Sequence, residues 1–155
     1  MAAVRTTIIK NTNLETIVKF EGSSVDTAAT ITLTDLTAST QALISGGTPT
    51  VNIVKIIAAG LLTSGVTITR GGVVVLACAP ENAPTINFTQ DGISDTVGNT
   101  SNIVITLAGA ASVGYLVLRK IAGWETKVET ATYGAYDDTT RVGARTDVSG
   151  SPDKV

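Results

Sequence analysis

Residues 65–80 read GVTITRGGVVVLACAP and contain the clearest structural signal in the chain. Two runs rich in β-branched residues flank the sequence Arg70-Gly71-Gly72. Adjacent glycines supply the positive φ angles that a tight hairpin turn needs. Pro80 then ends the second run, because proline cannot donate a backbone hydrogen bond to a sheet. The pattern predicts a β-hairpin.

The sequence on either side of this hairpin predicts further strands. Within residues 28–36, Ala29, Ile31 and Leu33 alternate with threonines, which is typical of a half-buried strand. Residues 50–60 favour a strand over a short amphipathic helix because of their β-branched content, and Gln41–Ile44 fits a short strand or a helical turn. The other predicted strands are Thr6–Lys10, Glu15–Glu21, 85–89, 102–110 and 115–123, and the last two are expected to form a second hairpin.

The composition supports the same fold class. Thr, Val and Ile together supply 57 of the 155 residues, and their stiff side chains suit a pleated sheet better than a helix. A chain of this length fits one domain with its own core. We therefore expect an all-β fold, an antiparallel β-sandwich or jelly roll of about 8 strands, over residues 1–124. Residues 125–155, which do not alternate, are expected to form an extended C-terminal arm.

The end of the chain holds half of its aromatic residues. Trp124 either folds back onto its own sandwich or docks into a neighbouring protein. Aromatic anchors alone cannot offset the cost of ordering a long segment, about 1–2 kcal/mol per residue, so strand addition to a neighbour's sheet edge is also expected. The residues predicted to contact another protein chain are Trp124, Tyr133, Tyr136, Arg141 and Arg145.

Charged residues are scarce in the middle of the chain. Residues 22–118 contain seven charges in 97 positions, whereas an independent soluble surface carries about 25–35% charged residues. Thr, Ser, Asn and Gly supply the polarity instead, and such a surface loses little on desolvation against another protein. Nucleic acid binding demands clustered Lys and Arg, so no direct nucleic-acid partner is expected.

The sequence lacks the residue types of most catalytic and metal sites. Histidine is absent and Cys78 is the single cysteine, which excludes a Ser-His-Asp or Cys-His arrangement, an intrachain disulfide and a structural zinc site. Cys78 lies in an apolar run and is expected to be a buried, inert thiol. The chain is therefore not expected to be an enzyme, and no cofactor is expected.

Two pairs of carboxylates leave an alternative open. Asp91 and Asp95 lie in a glycine-containing loop that could hold Ca²⁺, although capping of nearby turns is the simpler interpretation. Asp137 and Asp138, like the basic pair Arg119-Lys120, fit solvated charge or an ion pair across an interface.

The start of the chain lacks the apolar region of a signal peptide, and no stretch approaches the roughly 20 apolar residues that span a bilayer, so synthesis in the host cytoplasm without membrane binding is expected.

Three segments together resemble small virion structural proteins of tailed bacteriophages. They are TTIIKNTNLETIVKFEG at 6–22, NIVKIIAAGLLTSGVTITRGGVVVLACAP at 52–80 and NIVITLAGAASVGYLVLRKIAGWE at 102–125. The resemblance lies in the T-x-I-K-N opening and in the final glycine-flanked apolar strand that ends in basic residues. It implies a β-sandwich that sits on or between capsid or tail subunits.

The resemblance and the charge pattern lead to three functional hypotheses. The first is a capsid decoration (cement) protein on the capsid surface, favoured as a homotrimer, with the major capsid protein as its partner. The second is a neck, tail-tube or tail-completion subunit, in which the hairpin of residues 65–78 would line a ring. The third is a carbohydrate- or receptor-binding sandwich that uses Asp91 and Asp95.

Overall fold

The computed structural model describes residues 3–79, 84–90 and 98–126. These residues form eleven β-strands and one short 3₁₀ helix, Leu33–Leu36. The strands are β1 (Arg5–Asn11), β2 (Glu15–Gly22), β3 (Ala29–Ile31), β4 (Gln41–Leu43), β5 (Thr50–Gly60), β6 (Gly65–Arg70), β7 (Val73–Cys78), β8 (Thr85–Asn87), β9 (Ile103–Ala108), β10 (Ser112–Ala122) and β11 (Trp124–Thr126). The all-β prediction is confirmed, with eleven strands among the described residues where about eight were expected.

Most strands belong to two antiparallel sheets. The larger sheet has the order β1-β2-β10-β5-β8, so that β10 lies between strands from the first half of the chain. The smaller sheet has the order β3-β9-β6-β7, and β4 pairs with β11 in a separate two-stranded sheet. The predicted hairpin is present as β6 and β7, with positive φ angles of 55° at Gly71 and 82° at Gly72.

Buried residues of both large sheets form one hydrophobic cluster, as in a β-sandwich. The central strands place alternate residues inward; in β2, for example, Thr16, Val18 and Phe20 are buried while their neighbours are not. Burying a side chain of this size contributes about 1.5–3 kcal/mol. The cluster is made of Val4, Val18, Phe20, Ala29, Ile31, Leu33, Leu36, Val51, Ile53, Ile56, Ala58, Val66, Ile68, Ile103, Ile105, Leu107, Leu116 and Leu118. The jelly-roll alternative is not confirmed by this strand order.

The strand predicted within residues 28–36 is shorter than expected. It ends at Ile31, and Leu33–Leu36 form the 3₁₀ helix. The hydroxyl of Thr32 donates to the carboxylate of Asp35, and the backbone N–H of Asp35 donates to the carbonyl oxygen of Thr32 at 3.1 Å. Leu33 and Leu36 are both buried because three-residue spacing brings side chains to one side of such a helix.

The second predicted hairpin, over residues 102–123, is wrong. β9 pairs with β3 and β6, whereas β10 pairs with β2 and β5, so the connection passes from one sheet to the other. Two backbone hydrogen bonds hold it: Ser24 N–H donates to Gly109 O at 3.2 Å, and Leu61 N–H donates to Ala111 O at 3.1 Å. Alternation alone could not reveal this, because it is the same whichever sheet a strand joins.

The remaining local predictions have clear outcomes. Residues 50–60 form a strand and not a helix, and Gln41–Leu43 form the short strand β4. The compact unit that contains the described strands runs from Met1 to Glu125. A second unit is assigned to Thr126–Val155, of which only Thr126 is among the described residues.

Candidate protein interface

Of the five predicted contact residues, Trp124 is the one that the structure describes. Its ring packs against the core, and its Nε1 donates a hydrogen bond to Thr37 Oγ1 at 3.1 Å. Lys120 Nζ lies 5.4 Å from the ring centroid. Trp124 therefore has both apolar and polar partners within its own sandwich. Tyr133, Tyr136, Arg141 and Arg145 lie outside the described residues.

Lys120 is a buried charge that the sequence did not single out from its neighbour Arg119. It is 6% exposed, and its Nζ donates to Asn11 Oδ1 at 2.8 Å, Thr12 O at 2.8 Å and Gln41 Oε1 at 2.6 Å. Desolvation lowers the pKa of Lys120 to about 8. Three oxygen acceptors match the three donors of an ammonium group, so Lys120 joins the β1–β2 turn to β4 and β10.

Arg70, which precedes the hairpin turn, is also buried. Its guanidinium donates to Val51 O and, at 2.9 Å, to both Asn99 O and Ser101 O. These bonds join the end of β6 to the start of β5 and to the segment before β9. A planar fork of five donors suits several carbonyl oxygens at once, so this residue has a structural role.

The described part of the chain bears on metal binding and on the chemistry of Cys78. No group of three or more His, Cys, Asp or Glu residues that could hold a metal ion occurs there. Cys78, predicted to be buried, is only partly buried, and this burial raises the pKa of its thiol. Asp91, Asp95, Asp137 and Asp138 lie outside the described residues.

The outward side of the five-stranded sheet is the candidate interface, and we call it the outer face. Side chains of directly opposed residues in antiparallel strands share a face, so the register assigns its members. Lys19 of β2 lies opposite Tyr115 of β10, which lies opposite Ile57 of β5. The outer face comprises Arg5, Thr7, Lys10, Glu15, Ile17, Lys19, Glu21, Val113, Tyr115, Val117, Arg119, Asn52, Lys55, Ile57 and Ala59.

The centre of the outer face is apolar and its margin is charged. Tyr115, Val117 and Ile57 are half-buried beside one another on β10 and β5. Around them lie five Lys and Arg residues and two Glu residues, which gives the outer face a formal charge of +3. The rest of the chain has six Lys and Arg and eleven Asp and Glu, a formal charge of −5. The described residues outside the outer face carry Arg70, Lys120, Asp26, Asp35 and Glu125, a formal charge of −1, so the positive charge of the described part is concentrated on the outer face.

Three of the five cations on the outer face are already paired. Lys10 lies 2.7 Å from Glu15, while Glu21 lies 3.1 Å from Arg5 and 3.2 Å from Lys19. The hydrogen bond from Lys19, together with the charge of Arg5, lowers the pKa of Glu21. Among the described residues, no carboxylate lies within ion-pairing distance of the remaining two cations, Lys55 and Arg119. Both remain available to a partner.

The edge of the smaller sheet is a second exposed surface. Strand β7 is a terminal strand, its six residues carry no charge, and Val73 and Val74 are 50% and 58% exposed. The edge strand β1 of the larger sheet, in contrast, carries Arg5 and Lys10. Charges on an edge strand oppose pairing with another chain. β7 has a bulge opposite Ile68–Thr69 but no such charge, so it is the more receptive of the two edges.

Comparison of this chain with known proteins found no counterpart. No protein-family description, curated protein or solved structure matches this chain. In the described ranges, no helix has the length and apolar character needed to cross a bilayer. The sequence of β2 indicates part of the outer face, because Glu15, Ile17 and Lys19 alternate with the buried residues of that strand.

Proposed function

We propose that this chain is a structural subunit of a tailed-phage virion, and specifically a capsid decoration (cement) protein. The observation that carries the proposal is the outer face, with an apolar centre around Tyr115 and a margin that includes Arg119. Tyr and Arg are enriched in protein interfaces, where they supply a large contact area and bidentate hydrogen bonds. The resemblance of residues 6–125 to virion structural proteins agrees with this role.

In this role the protein acts mechanically. Each copy binds the major capsid protein at a junction between capsomers and also binds other copies of itself, with a trimer favoured. The buried area then opposes separation of capsid subunits under the pressure of packaged DNA. The apolar centre of the outer face supports this function, because few strongly hydrated groups there must be desolvated when two proteins meet. Neither DNA nor a membrane takes part.

One observation favours a second location in the virion. The uncharged edge of β7, with Val73 and Val74 exposed, could pair with an adjacent subunit. Continuous pairing from subunit to subunit is how a ring of tube or neck proteins would be built. In this alternative, β6 and β7 form the contact between copies. A ring or tube of this kind has six-fold or helical symmetry, whereas a decoration protein follows the symmetry of the capsid lattice.

Purified particles of the phage that encodes the chain provide the test. We expect mass spectrometry to detect the chain in gradient-purified virions, and electron cryomicroscopy to place it on the head. Particles lacking the chain should release DNA at a lower temperature than complete particles. Density confined to the neck or tail would support the second location. Absence of the chain from purified virions would overturn both proposals.

A further inference from the structure

We infer that the outer face of one copy binds residues 127–140 of a second copy. This inference deepens the proposed function, because it identifies one partner as the chain itself. The bound segment reads KVETATYGAYDDTT and lies beyond the described residues. It follows β11 directly in sequence, and a chain spans up to about 3.3–3.6 Å per residue, so fourteen residues suffice to reach a neighbouring molecule.

Charge complementarity favours this segment. It contains three carboxylates and one lysine, a formal charge of −2, opposite a surface of +3. Asp137 and Asp138 are adjacent, which suits the two cations of the outer face, Lys55 and Arg119, that have no carboxylate partner in the described part of the chain. Complementary charge of this kind sets partner choice and orientation.

The aromatic residues of the segment suit the apolar centre. Tyr133 and Tyr136 precede the two aspartates by only a few residues, so ring contacts and charge contacts come from one short stretch. On the outer face, Lys55 lies directly across from Val117, which is two residues from both Tyr115 and Arg119 along β10. Lys55 and Arg119 therefore lie directly beside the apolar centre, at the spacing of neighbouring residues on one strand face.

The contact would join different surfaces of the two copies. Such a heterologous interface generates a ring when the rotation between copies closes, and an open filament when it does not. A closed ring agrees with the homotrimer favoured for a decoration protein. Nucleic acid is a poorer occupant, because Glu15 and Glu21 lie on the outer face and neutralise part of its charge.

Charge exchange in the full-length chain tests the inference. We expect the wild type to self-associate, as measured by sedimentation equilibrium over a range of concentrations. The double variant Lys55→Glu/Arg119→Glu and the double variant Asp137→Lys/Asp138→Lys should each weaken association by at least about tenfold, because like charges then face each other. Combining all four substitutions should restore association to within about threefold of the wild type, since opposite charges again meet.

A matched control uses two other aspartates near the end of the chain. Asp147→Lys/Asp153→Lys should leave association unchanged and should not rescue Lys55→Glu/Arg119→Glu. Circular dichroism and thermal unfolding would verify that each variant folds. The inference is overturned if the wild type is monomeric at all concentrations, or if the fourfold variant stays as weak as the double variants. It is also overturned if Lys55→Glu/Arg119→Glu abolishes binding to duplex DNA without changing the molar mass.

The two proposals fail in different ways. Self-association that is unchanged in the charge variants, in a chain that is present on virions, would remove the contact between copies and keep the role on the virion. Self-association as expected, in a chain absent from virions, would keep the contact between copies and remove the phage function.

Discussion

At the scale of residues, adjacent positions on one strand have opposite roles. Arg119 lies on the outer face, while Lys120 is buried and bonded to three oxygen atoms. The sequence presents them as one basic pair. Adjacent residues of a strand point to opposite faces of the sheet, so Arg119 and Lys120 have different surroundings. In the described part of the structure, the hydrogen-bond acceptors of Lys120 are all uncharged.

Replacing Lys120 tests its structural role. Lys120→Met leaves the side-chain oxygen of Gln41 and the carbonyl oxygen of Thr12 without their ammonium donor, so we expect the free energy of unfolding at pH 7 to fall by about 1–3 kcal/mol. Urea denaturation measures this change. The matched control is Lys55→Met, which removes a lysine with a half-exposed side chain and should change stability by less than about 0.5 kcal/mol.

The same variant should alter the dependence of stability on pH. The pKa of Lys120 is lowered from 10.5 to about 8 in the folded protein, so the unfolded state binds more protons between these two pH values. Stability contributed by this group therefore rises with pH from about 8 to about 10.5. We expect the wild type to gain stability over Lys120→Met across this window and not below it. A constant difference from pH 6 to pH 10 would contradict the assignment.

At the scale of elements, β10 organises the larger sheet. It pairs along most of its length with β2 on one side and β5 on the other. Its inward residue Gly114 lies where the sandwich has no room for a side chain. A Cβ atom there would clash with Phe20 Cζ and would lie 2.6 Å from the carbonyl oxygen of Ile57. The Phe20 ring thus occupies the space that glycine leaves.

Gly114→Ala should therefore be strongly destabilising. We expect a loss of about 2–3 kcal/mol in the free energy of unfolding, because overpacking forces the backbone of β5 or the ring of Phe20 to move. Gly65→Ala in β6 is the matched control, since its Cβ would meet Ala108 Cβ at an ordinary 3.4 Å. Thermal unfolding of both variants measures the difference. Equal stability of the two variants would show that Phe20 can repack without cost.

At the scale of the whole molecule, the fold depends on contacts between distant parts of the chain. β10 lies between strands that end near residues 22 and 60, so the larger sheet closes only after Ser112–Ala122 has joined it. A fragment of residues 1–110 lacks that strand. By contrast, the compact unit ends at Glu125, so a chain truncated after Thr126 retains every described strand.

Truncation tests this division of the chain. We expect residues 1–126 to unfold cooperatively with a Tm within about 3 °C of the full-length variant Asp137→Lys/Asp138→Lys, which likewise lacks self-association, because a stability change below about 0.5 kcal/mol shifts Tm by only a few degrees. Residues 1–110 should show no cooperative transition by circular dichroism. A folded 1–110 fragment, or a fall in Tm of more than about 10 °C for residues 1–126, would contradict the boundary.

The sequence by itself determined the local structure of this protein. β-branched alternation and the Gly71-Gly72 turn predict the hairpin β6–β7, the strand at 50–60 and the all-β class, because side-chain direction and turn geometry are properties of neighbouring residues. The tertiary structure alone decided which strands share a sheet. It separated β9 from β10 and brought Tyr115, Ile57 and Lys55 together on the outer face. Those outcomes depend on pairing between residues far apart in sequence, and a pattern with a period of two is identical for every sheet that a strand could join.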